Sequence, residues 1–284
     1  MRKKKRLKYI AVLPSVITLI NGACGFMAIA FASRGPEFNW GFFVMRRTGM
    51  SFFALAGYMI FLAMIADVLD GRVARLTRTT SSFGGQLDSL SDAISFGVAP
   101  AFLMLKLVEF HLQHLNFEYS FFSILIERSV FFAAIFYAMC AVLRLARFNV
   151  ENVEDEAAHM TFAGLPSPAA GGVVVSLVIF HQQILSGITG EATWMFHILT
   201  VSVISLTTLF AGILMVSRIR YPHVANQLLR GKKTPASILT IFACVLFIVW
   251  NLQLTMVVGF CGFALYGVLR WVVNVFWKKQ PAAS

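Results

Sequence analysis

Charged residues are scarce in this chain of 284 residues, of which only 13% are Asp, Glu, Lys or Arg. Soluble domains contain about 25% charged and about 45–50% apolar residues. Here 58% of the residues are hydrophobic and the mean hydropathy is +0.75. The composition therefore excludes a soluble enzyme and a disordered scaffold. Apolar stretches long enough to cross a bilayer recur along the chain, so we predict an all-α polytopic membrane protein.

Cysteine is also scarce, and its spacing carries no motif. The chain has four cysteines, all within apolar stretches, without a Cys-x-x-Cys pair or zinc-type spacing. We interpret them as packing thiols. The sequence has no internal repeat and no sign of a second domain. We therefore predict one integral-membrane domain over residues 1–284, with a core at about 9–217 and a C-terminal helical hairpin at about 235–276.

The apolar stretches predict about eight transmembrane helices. Most reach the ~20 residues that a helix needs to cross the hydrocarbon core, and the second and seventh are short. Their predicted bounds are residues 9–32, 51–66, 88–108, 129–146, 166–186, 196–216, 235–250 and 255–276.

The net charge of +11 comes from 24 Lys and Arg against 13 Asp and Glu. With eight spans and the N-terminus inside, 19 of the basic residues fall on one side of the membrane and 5 on the other. The positive-inside rule then places both termini in the cytoplasm, as in a bacterial inner-membrane protein. Because topology explains the basic excess, we expect no nucleic-acid partner, and we expect membrane lipids around the chain.

Four of the five aspartates in the chain lie within 26 residues. Asp67 and Asp70 follow the second predicted span, and Asp88 and Asp92 begin the third. Spacings of three and four place each pair on one face of its helix. The sequence therefore predicts four carboxylates that converge at the cytoplasmic membrane boundary. The alternative is that they are ordinary loop acids neutralised by neighbouring arginines.

Ionised groups at a membrane boundary are costly unless they are paired or bound to metal. A group of Asp oxygens suits a hard divalent cation such as Mg²⁺ or Mn²⁺, and two pairs can hold one or two ions. Such ions most often handle phosphate. Gly71, Ala74, Gly84 and Gly85 beside the aspartates permit close approach of a ligand. The residues thus indicate a metal-dependent site for a phosphorylated substrate.

The pattern Asp67-x-x-Asp70-Gly71-x-x-Ala74-Arg75, eight residues, Gly84-x-x-x-Asp88-x-x-x-Asp92 resembles the motif of the CDP-alcohol phosphotransferase family at every specified position. The resemblance implies a helical membrane core and displacement of CMP by an alcohol, with divalent metal. It also implies a site, as follows: Asp67, Asp70 and Asp88 hold metal with Asp92 assisting, Asp92 is the catalytic base, and Gly71, Ala74, Arg75 and Gly84 contact CDP.

The N-terminal run Pro14-x-x-x-Thr18-x-x-Asn21 is similar to what members of this family show before the main motif. Thr18 and Asn21 lie on one face of an otherwise apolar helix. We expect Asn21 near the nucleotide. The alternative is that both side chains only hydrogen-bond to a neighbouring helix.

Three further segments resemble the bacterial and archaeal phosphatidylserine synthases of this family: residues 144–149, residues 162–169, and residues 214–217 with Arg218 and Tyr221. Arg144 and Arg147 lie three apart, and a guanidinium suits the carboxylate of serine. We therefore expect Arg144 and Arg147 in the acceptor site. They can instead be positive-inside anchors that reach lipid phosphates.

These features predict a CDP-diacylglycerol–serine phosphatidyltransferase that uses CDP-diacylglycerol and serine and, as the family implies, forms a homodimer. Two alternatives stay open at this point. One is the same chemistry with glycerol phosphate or inositol phosphate as acceptor. The other is a cation transporter, in which carboxylates at a helix break bind the ion.

His111 and His114 lie three apart near acidic residues, which raises the question of a zinc site. No cysteine accompanies them, and they lie far from the aspartates along the predicted spans. We interpret them as part of a solvated loop on the outer side.

Overall fold

The structure is a computed structural model that describes residues 2–35, 50–77, 82–114, 121–154, 162–183, 193–221 and 251–277. These residues form an all-helical bundle with one very short strand pair. The helices are α1 (Arg2–Ala32), α2 (Phe52–Thr77), α3 (Ser82–Asp92), α4 (Ala99–His114), α5 (Phe121–Glu154), α6 (Ser167–Gln183), α7 (Thr193–Val216) and α8 (Leu252–Trp277). A π-helical segment, Ala93–Val98, joins α3 to α4 without a break.

Six membrane-spanning candidates are found among the described residues, with α3, the π-helical segment and α4 together counted as one of them. The prediction of a polytopic helical membrane protein is therefore confirmed. The predicted fifth span corresponds to α6. This helix has 17 residues and is therefore shorter than the 18 residues required of a spanning candidate. The predicted seventh span, 235–250, lies outside the described residues, so the number eight stays a prediction.

The bounds of the second and third spans differ from the prediction. Helix α2 continues through both aspartates to Thr77, and α3 begins at Ser82, before Asp88. A hydropathy pattern stops at the first charged residue, whereas a helix only needs backbone hydrogen bonds and good helix formers. Arg, Ala and Leu after Asp70 meet that condition. The acidic residues therefore lie within helices. Only residues 78–81, which are outside the described part of the chain, separate the two helices in sequence.

The core lies where α2, α4, α5, α6 and α7 meet, around fully buried side chains such as Ile60, Leu103, Tyr137 and Ile179. Large apolar side chains on the opposite helix faces are exposed, as expected of surfaces that face lipid rather than water. Examples are Phe26, Phe132, Leu199 and Leu269. In a soluble protein such surface would be a liability, but here it defines the membrane-facing belt.

The last helix packs against this core. The ring of Phe260 on α8 stacks with Phe61 on α2 at 5.6 Å between centroids. Phe260 also lies against Gly172 on α6, where a Cβ atom would overlap the ring. Helix α8 therefore belongs to the same bundle. The predicted division into a core and a C-terminal hairpin stays a prediction, since the first half of that hairpin is not described.

A two-residue antiparallel pair ties the segment before α6 to the segment after α7. Strand β1 (Phe162–Ala163) pairs with β2 (Arg220–Tyr221). Gly164 follows in a left-handed conformation with φ +85°, and a side chain there would run into the Met215 carbonyl oxygen. Leu165 N donates to Leu214 O at 3.0 Å. The strand pair and this hydrogen bond fix the position of the start of α6, where Ser167 lies.

Candidate active site

Three carboxylates meet at one end of the bundle, which we call the acidic end. Asp67 and Asp70 on α2 and Asp88 on α3 each offer one oxygen, and the three oxygens lie within 4.8 Å of one another. Asp70 is buried and the other two are half-buried. Ionised carboxylates this close repel each other strongly where water is limited, so a cation is needed to keep all three charged.

Two oxygens of this group have no hydrogen-bond partner among the described residues. They are Oδ2 of Asp70 and Oδ1 of Asp88, and both are buried. Buried polar atoms are normally satisfied, so unsatisfied acceptors that converge need an explanation such as an ion. Hard oxygen donors of this kind fit Mg²⁺ or Mn²⁺. The residues present therefore fit a divalent cation of this kind.

Asp92 lies one turn beyond Asp88 and is held by α1. Asn21 on α1 is fully buried and its Nδ2 donates to Oδ1 of Asp92 at 2.9 Å. In turn, Ser95 Oγ donates to the Asn21 backbone oxygen at 2.9 Å. Asp92 is not one of the three carboxylates within 4.8 Å, so its predicted role as a metal ligand stays a prediction. Its carboxylate is buried and positioned by the Asn21 side chain on α1.

Glycines on α1 make this contact between α1 and α3 possible. A Cβ at Gly22 would lie 3.2 Å from Ser91 Oγ, and one at Gly25 would overlap both the side chain and the backbone of Ser95. Glycine lets two helix backbones approach closely. Asn21 can therefore reach Asp92 because its own helix carries Gly22 and Gly25 on the facing side.

The helix changes to a π-helical segment directly after Asp92. Such segments are rare and occur frequently at functional sites, because the extra residue per turn redirects side chains. Tyr137 on α5 is fully buried, and its hydroxyl donates to the Phe96 backbone oxygen at 2.9 Å. This bond satisfies a carbonyl within the irregular stretch and connects α5 to it.

Arg144 and Arg147 differ in the structure, although the sequence predicts both for the acceptor site. Arg144 is half-buried and its Nη1 donates to Ser167 Oγ at 2.8 Å. Its buried Nε has no partner among the described residues. Arg144 lies on α5 between Tyr137, which contacts the π-helical segment, and Asn149, which contacts α3. Arg147 is exposed on the outside of α5. The structure brings Arg144 to the acidic end and leaves Arg147 at the surface.

The residues predicted to contact CDP lie on the open side of the acidic end. A Cβ at Gly71 would meet only the Arg75 guanidinium, at 4.0 Å, so the glycine is not needed for helix packing. Arg75 is exposed, and its Nε donates to the Gly71 oxygen at 2.9 Å. Ala74 and Gly84 are half-buried on the same two helices. Their contact with a nucleotide stays a prediction.

Sequence reasoning missed two polar residues that the fold brings to this end. Ser167, at the start of α6, is fully buried and holds Arg144. Asn149 on α5 accepts a hydrogen bond at its Oδ1 from Ser89 of α3, at 3.0 Å. Both belong to segments that resemble phosphatidylserine synthases, which was the available signal. Neither has a side chain that suggests chemistry by itself.

The fold and this site define a polytopic helical membrane protein with a buried acidic group able to hold a cation. The sequence matches the family described as CDP-alcohol phosphatidyltransferase over residues 11–204. The chain therefore belongs to the CDP-alcohol phosphatidyltransferase family, and it is an enzyme of that phosphotransferase class. Membership in an enzyme family decides against the cation-transporter alternative.

Several relatives carry more specific names. A CDP-diacylglycerol–serine O-phosphatidyltransferase of Helicobacter pylori is 32% identical over 81% of this chain and 86% of its own length. One from Methanocaldococcus jannaschii is 37% identical over 60% of this chain and 65% of its own length. An archaetidylserine synthase of Methanothermobacter thermautotrophicus is 32% identical over 79% and 75%, respectively.

Proposed function

We propose that this enzyme transfers the phosphatidyl group of CDP-diacylglycerol to the hydroxyl of serine, giving phosphatidylserine and CMP. Relatives named for transfer to serine, and one named for archaetidylserine synthesis, support serine as the acceptor. The structural observation that carries the proposal is the meeting of three groups. These are the acidic group, the Asp92–Asn21 pair and the half-buried Arg144.

The acidic group would hold one or two divalent cations through Asp67, Asp70 and Asp88. When bound, such an ion neutralises charge on the pyrophosphate of the substrate and on the CMP that leaves. The chain's own contribution is the fixed position of the carboxylates on α2 and α3. Arg75, whose Nε donates to the Gly71 oxygen on the open side, would add positive charge near the nucleotide.

Asp92 is the proposed base. Its carboxylate takes the proton from the serine hydroxyl while that oxygen bonds to the lipid-side phosphorus. The bond between this phosphorus and the bridging oxygen breaks, and the bridging oxygen leaves with CMP. The hydrogen bond from Asn21 to Oδ1 fixes the rotation of the carboxylate, which leaves Oδ2 to accept the proton.

Arg144 is the proposed partner of the serine carboxylate. Ser167 holds one end of its guanidinium, and the buried Nε lacks a partner among the described residues. A buried donor without a partner favours a ligand that supplies an acceptor. Arg147, which lies exposed on α5, would at most assist. A phosphorylated acceptor would need further basic side chains here, and of the side chains described at this end Arg144 is the one basic group that is not exposed.

We further propose that the acidic end faces the cytoplasm with both termini, because the basic residues concentrate on that side of the predicted topology. A homodimer also stays a proposal, which rests on the family resemblance alone.

The test is an acceptor comparison with the purified protein, CDP-diacylglycerol and either Mg²⁺ or Mn²⁺. Release of CMP would be followed with serine, glycerol phosphate or inositol phosphate, and with each metal replaced by a chelator. We expect CMP release that requires both serine and a divalent cation. Absence of serine-dependent release would refute the acceptor, and release with inositol phosphate would establish the alternative. Full activity in chelator would refute the metal.

A further inference from the structure

Three histidines meet at the opposite end of the bundle, which we call the histidine end. They are His111 on α4, His181 on α6 and His197 on α7, and one nitrogen from each lies within 4.8 Å of the others. Their ring centroids are 4.8 to 5.4 Å apart. The interpretation of His111 as a loop residue was therefore wrong, since it is half-buried within a helix.

This group is well separated from the acidic end. Ser167, which contacts Arg144, and His181 lie 14 residues apart on α6, and a rise of 1.5 Å per residue separates them by about 21 Å. His181 is 1% exposed, while His111 and His197 are half-buried. His181 therefore lies within the core, while the other two rings keep part of their surface accessible.

The distance between two of the rings matches a coordination geometry. His197 Nδ1 and His181 Nε2 are 3.2 Å apart. Two ligands of a tetrahedral zinc ion at about 2.0–2.1 Å from the metal are about 3.3 Å apart. The same distance also suits a hydrogen bond between two neutral rings.

Hydrogen bonds orient the rings as they do in metal sites. His111 Nδ1 lies 2.8 Å from the Leu107 backbone oxygen, so this nitrogen carries the proton and Nε2 keeps its lone pair. The Gln182 amide lies 3.3 Å from His181 Nδ1. Turned by 180°, that amide would accept a proton from Nδ1 and leave Nε2 as a ligand. Outer contacts of this kind fix the tautomer of ligating histidines.

We propose that His111, His181 and His197 bind one transition-metal ion of the Zn²⁺ class, with water in a fourth position. Neutral imidazoles suit such an ion, whereas the carboxylates at the acidic end suit Mg²⁺ or Mn²⁺. The ion would join the ends of α4, α6 and α7, which are distant in sequence. This site is independent of the proposed function, because it shares no residue with the acidic end.

The test uses the full purified chain with Asp67→Asn and Asp70→Asn, so that the acidic group does not contribute. After treatment with chelator, Co²⁺ is added as a spectroscopic probe and Zn²⁺ is then used to displace it. We expect one Co²⁺ per chain with the intense visible bands of four-coordinate cobalt, and an increase of the melting temperature with Zn²⁺.

His111→Gln and His197→Gln, at the two half-buried positions, should each weaken Zn²⁺ binding by at least about 100-fold. Loss of even an outer partner of a metal ligand costs about 10–100-fold. Gln113→Ala, at an exposed position two residues along the same helix, is the matched control and should bind like the parent. The proposal fails if the parent binds no Co²⁺ with those bands, or if all three variants bind it equally. The histidines would then be a hydrogen-bonded packing group.

Discussion

The acidic end and the histidine end each gather three side chains able to bind metal, but they are built from different parts of the chain. The carboxylates come from two neighbouring helices within residues 67–88, whereas the histidines come from three helices between residues 111 and 197. Close spacing in sequence makes the first group visible as a motif. The second group exists only because α4, α6 and α7 bring their histidines to the same place.

The two ends also differ in whether their polar atoms have hydrogen-bond partners when no ion is bound. At the acidic end, buried oxygens of Asp70 and Asp88 lack partners among the described residues. At the histidine end, ring nitrogens contact one another, a backbone oxygen and an amide. Neutral rings can pack stably without a metal, while converging carboxylates cannot all stay ionised. We therefore expect a cation to be essential at one end and stabilising at the other.

The largest effect on activity is expected when an acidic residue is replaced at the acidic end rather than at the histidine end. Asp67→Asn should lower serine-dependent CMP release by about 10³-fold or more, since an ion that stabilises transferring phosphoryl charge is worth several kcal/mol. Glu109→Gln is the control, because Glu109 pairs with Lys106 at the histidine end at 2.7 Å. It should change the rate by less than about twofold. A similar loss in both variants would contradict the assignment of chemistry to the acidic end.

The next prediction separates binding of the ion from proton transfer. Asp92→Asn should lower kcat by about 10²- to 10³-fold, within the range that a general base contributes. Binding of Mn²⁺, measured by electron paramagnetic resonance, should persist because the other three aspartates remain. Loss of Mn²⁺ binding would make Asp92 a metal ligand first, and an unchanged kcat would remove its role as base.

A smaller effect is expected from the arginines on α5. Arg144→Lys should raise the KM for serine by about 10- to 100-fold, since a hydrogen bond to a charged group contributes about 1.5–3 kcal/mol. Arg147→Lys is the matched control, three residues away and exposed, and should change this KM by less than about threefold. An equal increase of KM in both variants would mean that the Arg144 guanidinium, held by Ser167, does not select the acceptor.

The smallest effect concerns a glycine beside the acidic end. Gly71→Ala adds a Cβ in open space and replaces glycine within a helix, so stability should rise by about 0.5–1 kcal/mol or stay equal. If CDP lies against Gly71, the KM for CDP-diacylglycerol should nevertheless increase several-fold. Gly259→Ala, on an exposed face of α8 with nothing within 4 Å, should leave that KM unchanged. Unchanged KM values in both variants would show that the nucleotide does not contact Gly71.

Much of the acidic end could be predicted from the sequence, because helix periodicity is local. Spacings of three and four residues are enough to put Asp67 with Asp70, and Asp88 with Asp92, on shared helix faces. The match of Asn21 to a motif also pointed to the site. What could not be predicted is its direct bond to Asp92, 71 residues away, which requires the close approach that Gly22 and Gly25 allow.

Two other predictions show where local reasoning ends. Arg144 and Arg147 look equivalent in sequence, and only the packing of α5 against α6 separates them. His111 looks like a loop residue in the sequence because its partners lie 70 and 86 positions further on. No periodicity within one helix can report such a contact.

The sequence by itself determined that this is a helical membrane protein with aspartates paired on helix faces, since composition and helix spacing act within one turn or one span. The tertiary structure decided which of those side chains share a site. Folding of the bundle forms the hydrogen bond between Asn21 and Asp92 and the one between Arg144 and Ser167. It also brings together three histidines that are distant in sequence. The physical reason is that such contacts depend on how closely helices from distant parts of the chain approach, which is settled by packing of the whole bundle.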